Sequence, residues 1–166
     1  MTTDPLVRSL IDDLLTRSAM LIDRDDLDGW LECFEAESRY IVMPRDNRER
    51  GWPAALIHCD NKERLRDRIV CLRHANKFNP HYDRHIVSAG HISAVADGIA
   101  SVESSFMVVQ TTKTGVSTLF CAGCYEDRYP RQRGRRPSSS SGWRCWTRSR
   151  CRHCSRRRSE GRSGAG

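Results

Sequence analysis

The side chains able to handle protons lie far apart along the chain. Asp23, Tyr40, Asp67 and His85 would form an acid–base set if a fold gathered them in one pocket, because a carboxylate can orient an imidazole and a phenol can give a proton. Their spacing forms no motif. Arg24, Arg68 and Arg84 each follow an aspartate. Arginine–carboxylate pairs, buried or at an interface, are the commoner use of such residues, which makes Arg68, Asp83, Arg84 and His85 candidates for a subunit interface. His81 and His85 would share a helix face, but their neighbours favour a strand, which argues against a helical His–His metal pair. His85 and His91 have the same parity along a strand and could face one cavity.

The cysteines offer a second chemistry. Cys121-x-x-Cys124 and Cys151-x-x-Cys154 have the spacing of zinc ligands, since tetrahedral zinc takes four thiolates from two tight turns. Cys121 and Cys124 fall in an expected strand, where residues three apart face opposite ways. The other pair sits in a stretch with no apolar residues to support a metal site. Packed thiols are therefore the expectation, with no metal or cofactor in this chain. Cys151-Arg-His153 is half of a Rieske-type pattern whose second Cys-x-x-His is missing. No P-loop, GxGxxG or nucleophile elbow occurs.

The elements that must position these residues read as helices first and strands later. Thr2, Thr3 or Asp4 can cap a helix with Pro5 in its first turn and an apolar stripe from Leu6 to Ile22. Asp25 or Asp26 can cap a second helix that buries Leu27, Trp30, Leu31 and Phe34. A strand is expected over Arg39–Met43, stopping at Pro44, and a loop over Arg45–Pro53. Asp60 with Glu63 reads as a capping box opening a third helix with Leu65, Ile69 and Leu72 inward, ended by Asn79-Pro80. Three strands follow: His85–Val95, Ile99–Thr112 and Val116–Tyr125, with turns at Asp97-Gly98 and Lys113-Thr-Gly115. Helices followed by an antiparallel meander give an α+β class, with the helices on one face of a curved sheet that can enclose a pocket.

Charge divides the chain in two. Its 166 residues carry a net +7, yet residues 130–166 hold twelve Arg and a single acid, Glu160, which leaves residues 1–129 mildly acidic. The body, 1–129, is expected to be one domain with its own core. Beyond Tyr129 no Leu, Ile, Val, Met, Phe or Tyr occurs, so 130–166 is expected as irregular coil. The arginine-rich tail is the only nucleic-acid signal, and salt-dependent binding through it is the less favoured reading. No apolar run reaches the ~18–20 residues of a membrane span and no signal peptide opens the chain, so a cytoplasmic protein with reduced thiols and no membrane attachment is expected.

The body also resembles a family. Leu21-Ile-Asp-Arg-Asp-Asp-Leu-Asp-Gly-Trp30 with Phe34, Tyr40-Ile-Val and Arg45-Asp-Asn with Gly51 are followed by Leu65-Arg-Asp-Arg-Ile69. Tyr82-Asp-Arg-His-Ile-Val87 and Gly123-Cys-Tyr-Glu-Asp127 complete the set. In this order and spacing they resemble the small (β) subunit of bacterial aromatic-ring-hydroxylating dioxygenases, nearest to the terephthalate, salicylate and anthranilate types. The resemblance implies a cone of the nuclear-transport-factor-2-like type. It implies a large (α) partner subunit carrying a Rieske [2Fe–2S] cluster and a mononuclear Fe(II), and a three-fold heterohexamer in which the small subunit is structural. Cone-fold relatives include isomerases and dehydratases, which keeps an acid–base role for Asp23, Tyr40, Asp67 and His85 as the alternative.

The C-terminus departs from that family, whose members end on an apolar strand. Gly142–Cys154, written in GC-rich codons and read one base earlier, becomes a string dominated by Leu and Ala. Residues 130–166 therefore read as a frameshifted ending.

Overall fold

The computed structural model describes residues 4–75 and 80–130 in full and residues 145–153 as backbone. Helix α1 (Pro5–Asp23) begins where Asp4 accepts the Leu6 N–H at 2.9 Å. Its buried face is Leu10, Ile11, Leu14, Leu15, Ser18 and Ala19. Asp25, at φ 60°, turns the chain into α2 (Leu27–Leu31), and Asp26 caps α2 by accepting from Gly29 N–H at 2.9 Å.

Strand β1 (Phe34–Pro44) is longer than expected, and Phe34 opens it instead of lying on α2. The expected loop after Pro44 contains a five-residue helix, α3 (Arg45–Glu49), held by an Arg45–Glu49 ion pair and by Asn47 Nδ2 donating to the Ala54 carbonyl at 2.8 Å. Strand β2 (Ile57–Cys59), which the sequence did not suggest, pairs antiparallel with β1. Helix α4 (Lys62–His74) is capped by Asn61, which accepts the Arg64 N–H at 2.9 Å, so the capping box at Asp60 is corrected by one residue. Asn79 lies outside the described residues.

The expected strand over His85–Val95 is two strands, β3 (His81–Val87) and β4 (His91–Ala96), both antiparallel to β5 (Ile99–Thr112). The cause is Gly90. Its N–H donates to Asp12 Oδ1 at 2.8 Å and its carbonyl accepts from Arg8 Nη1 at 3.3 Å, so α1 takes the place of ladder bonds there. A Cβ on Gly90 would come within 2.8 Å of Val102 Cγ1 and 3.1 Å of Leu15 Cδ1. Gly90→Ala is therefore expected to cost about 1–3 kcal/mol through overpacking, seen as a lower urea midpoint at unchanged m.

Asp97 and Gly98, both at positive φ, close the β4–β5 hairpin, and Gly115 at φ 84° closes the next. Strand β6 (Ser117–Pro130) runs five residues past its expected end at Tyr125. The backbone of Cys145–His153 forms β7, parallel to β1 and antiparallel to β6. That corrects the expectation of irregular coil for these nine residues; 131–144 and 154–166 lie outside the described residues. Among the described residues the strands form one sheet, in order β2-β1-β7-β6-β5-β3 with β4 beside β5. Helices α1, α2 and α4 cover one face, and the core lies between them and Tyr40, Val42, Val102 and Tyr129. The α+β reading with helices on one face of a curved sheet holds. No helix among the described residues is long and apolar enough to cross a membrane.

Candidate functional site

A cavity of about 680 Å³ opens between the helices and the sheet. Its floor is alternation on the sheet: His81, Asp83 and His85 of β3 share one parity, as do Val108 and Gln110 of β5. Leu65, Arg68, Ile69 and Leu72 of α4 form one wall, at helical spacing. Tyr40 and Trp30 form another. Trp30 is fixed by its indole N–H donating to Ser18 Oγ at 3.1 Å and by edge contacts to Phe34 and Tyr40, with centroids 4.9 and 5.3 Å away.

Asp23, the last residue of α1, reaches β3 at the cavity edge. Its Oδ1 lies 2.7 Å from His85 Nδ1, and its carboxylate accepts the His85 backbone N–H at 3.0 and 3.1 Å. Both side chains are buried. Arg84 Nη1 reaches the same carboxylate at 3.5 Å. Such a pair fixes the imidazole ring and commits Nδ1 to the carboxylate, the arrangement by which a histidine can be oriented for proton transfer at its other nitrogen.

Tyr40 and His85 thus both line the cavity, and Asp23 joins them only through His85. Asp67 is exposed on α4 and does not line the cavity. His91 is exposed on β4, so the histidine that shares the cavity with His85 is His81. Among the interface candidates, Arg68, Asp83 and His85 line the cavity, and Arg84 alone stands outward, with its side chain 71% exposed. Two arginine–carboxylate pairs near the cavity, Asp23 with Arg84 and Asp25 with Arg73, join residues far apart in the chain. Arg73, Gln110 and Phe120 were not singled out from sequence, although the parity of β3 and β5 points to Gln110.

Cys33, Cys59, Cys71, Cys121 and Cys124 form no disulfide among the described residues. Burial pushes the Cys59 thiol up. Cys121 is buried beside Phe106, Val108 and Tyr125, whereas Cys124 pairs in register with the exposed Ser105, so the two occupy opposite faces of β6. The side chains of Cys151 and Cys154 lie outside the described residues. Among the described residues no three His, Cys, Asp or Glu side chains gather as a metal site. They do not fit a Rieske cluster or a mononuclear iron.

The family model for the ring hydroxylating beta subunit matches residues 17–137. The small subunit of anthranilate 1,2-dioxygenase from Burkholderia cepacia is 42% identical over 106 residues, which are 64% of this chain and 66% of that one. The β2 subunit of the terminal oxygenase component of terephthalate 1,2-dioxygenase from Comamonas sp is 33% identical over 111 residues, 67% of this chain and 72% of that one. A crystal structure of a β subunit assigned to an aromatic-ring-hydroxylating dioxygenase of Novosphingobium aromaticivorans superposes with a TM-score of 0.78 at 33% identity, covering 89% of each chain. An NTF2-like protein with a cystatin-like fold from the same species superposes at 0.61 and 14% identity over 87% of this chain and 80% of that one, a likeness of fold. The cone is therefore of the nuclear-transport-factor-2-like type, and the chain belongs to the family of ring-hydroxylating dioxygenase β subunits.

Proposed function

We propose that this chain is the structural small subunit of a cytoplasmic terminal oxygenase that hydroxylates a carboxylated aromatic ring. Its partner is a large subunit holding the Rieske [2Fe–2S] cluster and the mononuclear Fe(II), in a three-fold heterohexamer. The nature of the relatives, small subunits of anthranilate and terephthalate dioxygenases, supports the substrate class. The observation that carries the assembly role is the face of the sheet opposite the helices. There Tyr82 and Ile86 of β3, Met107 of β5 and Leu119 of β6 are all exposed, with Arg84 among them. Ile86 pairs with Met107, Arg84 with Val109, and Val109 with Leu119, so these residues form one continuous patch. A contiguous apolar patch with a polar rim marks a protein contact.

Ile86→Asp with Met107→Asp places two charges in that patch without touching the core. The pair is expected to abolish co-purification with the large subunit, while the unfolding free energy of the small subunit falls by no more than about 1–2 kcal/mol, from two like charges set opposite each other across β3 and β5 and the low strand propensity of Asp. Undiminished co-purification would move the interface elsewhere.

The alternative, a stand-alone isomerase or dehydratase, draws on the Asp23–His85 pair beside Tyr40. It requires that the chain alone turn over a small cyclic substrate and that His85→Ala or Tyr40→Phe abolish that turnover. On the structural reading, His85→Ala leaves ring hydroxylation per assembled complex unchanged.

Residues 130–166 as written are, on this proposal, out of frame after the cone domain of residues 1–129. The family match ending at residue 137 supports this. So does the register of β7, which sets Arg150 opposite Val42 and Tyr125, both of them buried.

A further inference from the structure

We propose that the cone cavity of this subunit is itself a binding site for an aromatic carboxylate, with Arg68 as the group that takes the carboxylate. The two acids that line the cavity are engaged: Asp25 is bound by Arg73, and Asp83 accepts from Gln110 Nε2 at 3.2 Å with His81 Nε2 3.8 Å away. Arg68 lines the same cavity, is half-buried, and makes no hydrogen bond or ion pair among the described residues. A half-buried guanidinium without a counter-ion is an anion site, and its planar fork matches a carboxylate.

The rest of the lining selects what carries the carboxylate. Trp30, Tyr40 and Phe120 supply aromatic surface, and Leu65, Ile69 and Val108 supply aliphatic surface. Ligand sites are cavities of roughly 300–1,000 Å³, mostly apolar with a few placed polar groups, and this one falls within that range. Its volume accommodates a fused two-ring acid as well as a single ring. The site goes beyond the assembly role, and its failure would leave co-purification with the large subunit untouched.

The test is equilibrium dialysis of 2-naphthoate against the full chain fused at its N-terminus to maltose-binding protein, with maltose-binding protein alone as the blank. Native folding is verified by protection of Cys33 and Cys59, both buried, from alkylation. The proposal predicts one equivalent of 2-naphthoate bound, at least tenfold weaker binding in Arg68→Gln, and recovery of most of the affinity in Arg68→Lys. Neutral 2-naphthamide should bind the wild type at least tenfold more weakly than the acid and show no dependence on Arg68. Any of three results overturns it: no 2-naphthoate bound by chain whose Cys33 and Cys59 are protected, equal binding by Arg68→Gln, or equal affinity for acid and amide.

Discussion

Shifting the reading frame by one base just after Tyr129 is expected to turn a poorly soluble, unstable chain into a soluble subunit and to raise its Tm by roughly 20 °C or more. As written, β7 is a strand of Arg, Ser, Thr, Cys, Trp and His in the middle of the sheet, between β1 and β6. Its register partners Tyr40, Val42, Tyr125 and Asp127 are all buried. A central strand whose neighbours bury Tyr40, Val42 and Tyr125 is a place for apolar side chains. With GC-rich codons the one-base-earlier reading supplies leucines and alanines. Four or five large apolar side chains at about 2 kcal/mol each amount to on the order of 10 kcal/mol, the net stability of a whole domain. At 2–4 °C per kcal/mol this gives the Tm shift stated. Thermal unfolding of the two chains side by side measures it. Equal Tm values, or a gene whose frame is unbroken and whose shifted codons give no apolar product, would remove the frame argument.

Asp23→Ala is expected to carry the next largest penalty, about 2–5 kcal/mol. The buried carboxylate accepts both the backbone N–H of His85 and its ring Nδ1, and alanine leaves those two groups without a partner at ~1–3 kcal/mol each. Asp23→Asn keeps an acceptor oxygen and should lose less than half as much. Urea unfolding of the three chains, each with the reading frame restored after Tyr129, resolves the order wild type, Asn, Ala. A loss in Asp23→Ala below about 0.5 kcal/mol would mean that the α1–β3 junction does not depend on this pair.

What could be read from the sequence follows from how local each signal is. Strand β5 matches its expected limits, Ile99–Thr112, because turn residues bracket it at Asp97-Gly98 and Lys113-Thr-Gly115. Helix α1 was legible from Pro5 and a stripe of leucines four turns long. The break at Gly90 was not, because its cause is Asp12, 78 residues earlier. Nor was β7, whose composition argues against a strand and whose place depends on β1 and β6 pairing with it from both sides.

The site divides in the same way. Strand parity paired His85 with His91, whereas the histidine beside it in the cavity is His81 and its hydrogen-bond partner is Asp23, 62 residues away. Asp67 and Arg68 are adjacent in sequence, and one helical step sends the first to solvent and the second to the cavity wall. Dipeptides such as Asp83-Arg84 suggested ion pairs without showing which element supplies each partner. The order of the quoted segments, by contrast, led to the family directly.

The most direct test of the assembly role is metal and mass analysis of the chain, with its reading frame restored after Tyr129, co-expressed with a large subunit that carries a complete Rieske motif. The account predicts one complex with equal numbers of the two chains. After the subunits are separated, all the iron and acid-labile sulfide should be in the large-subunit fraction and none with this chain. A large subunit that assembles and turns over without this chain, or stoichiometric iron retained by this chain alone, would contradict it.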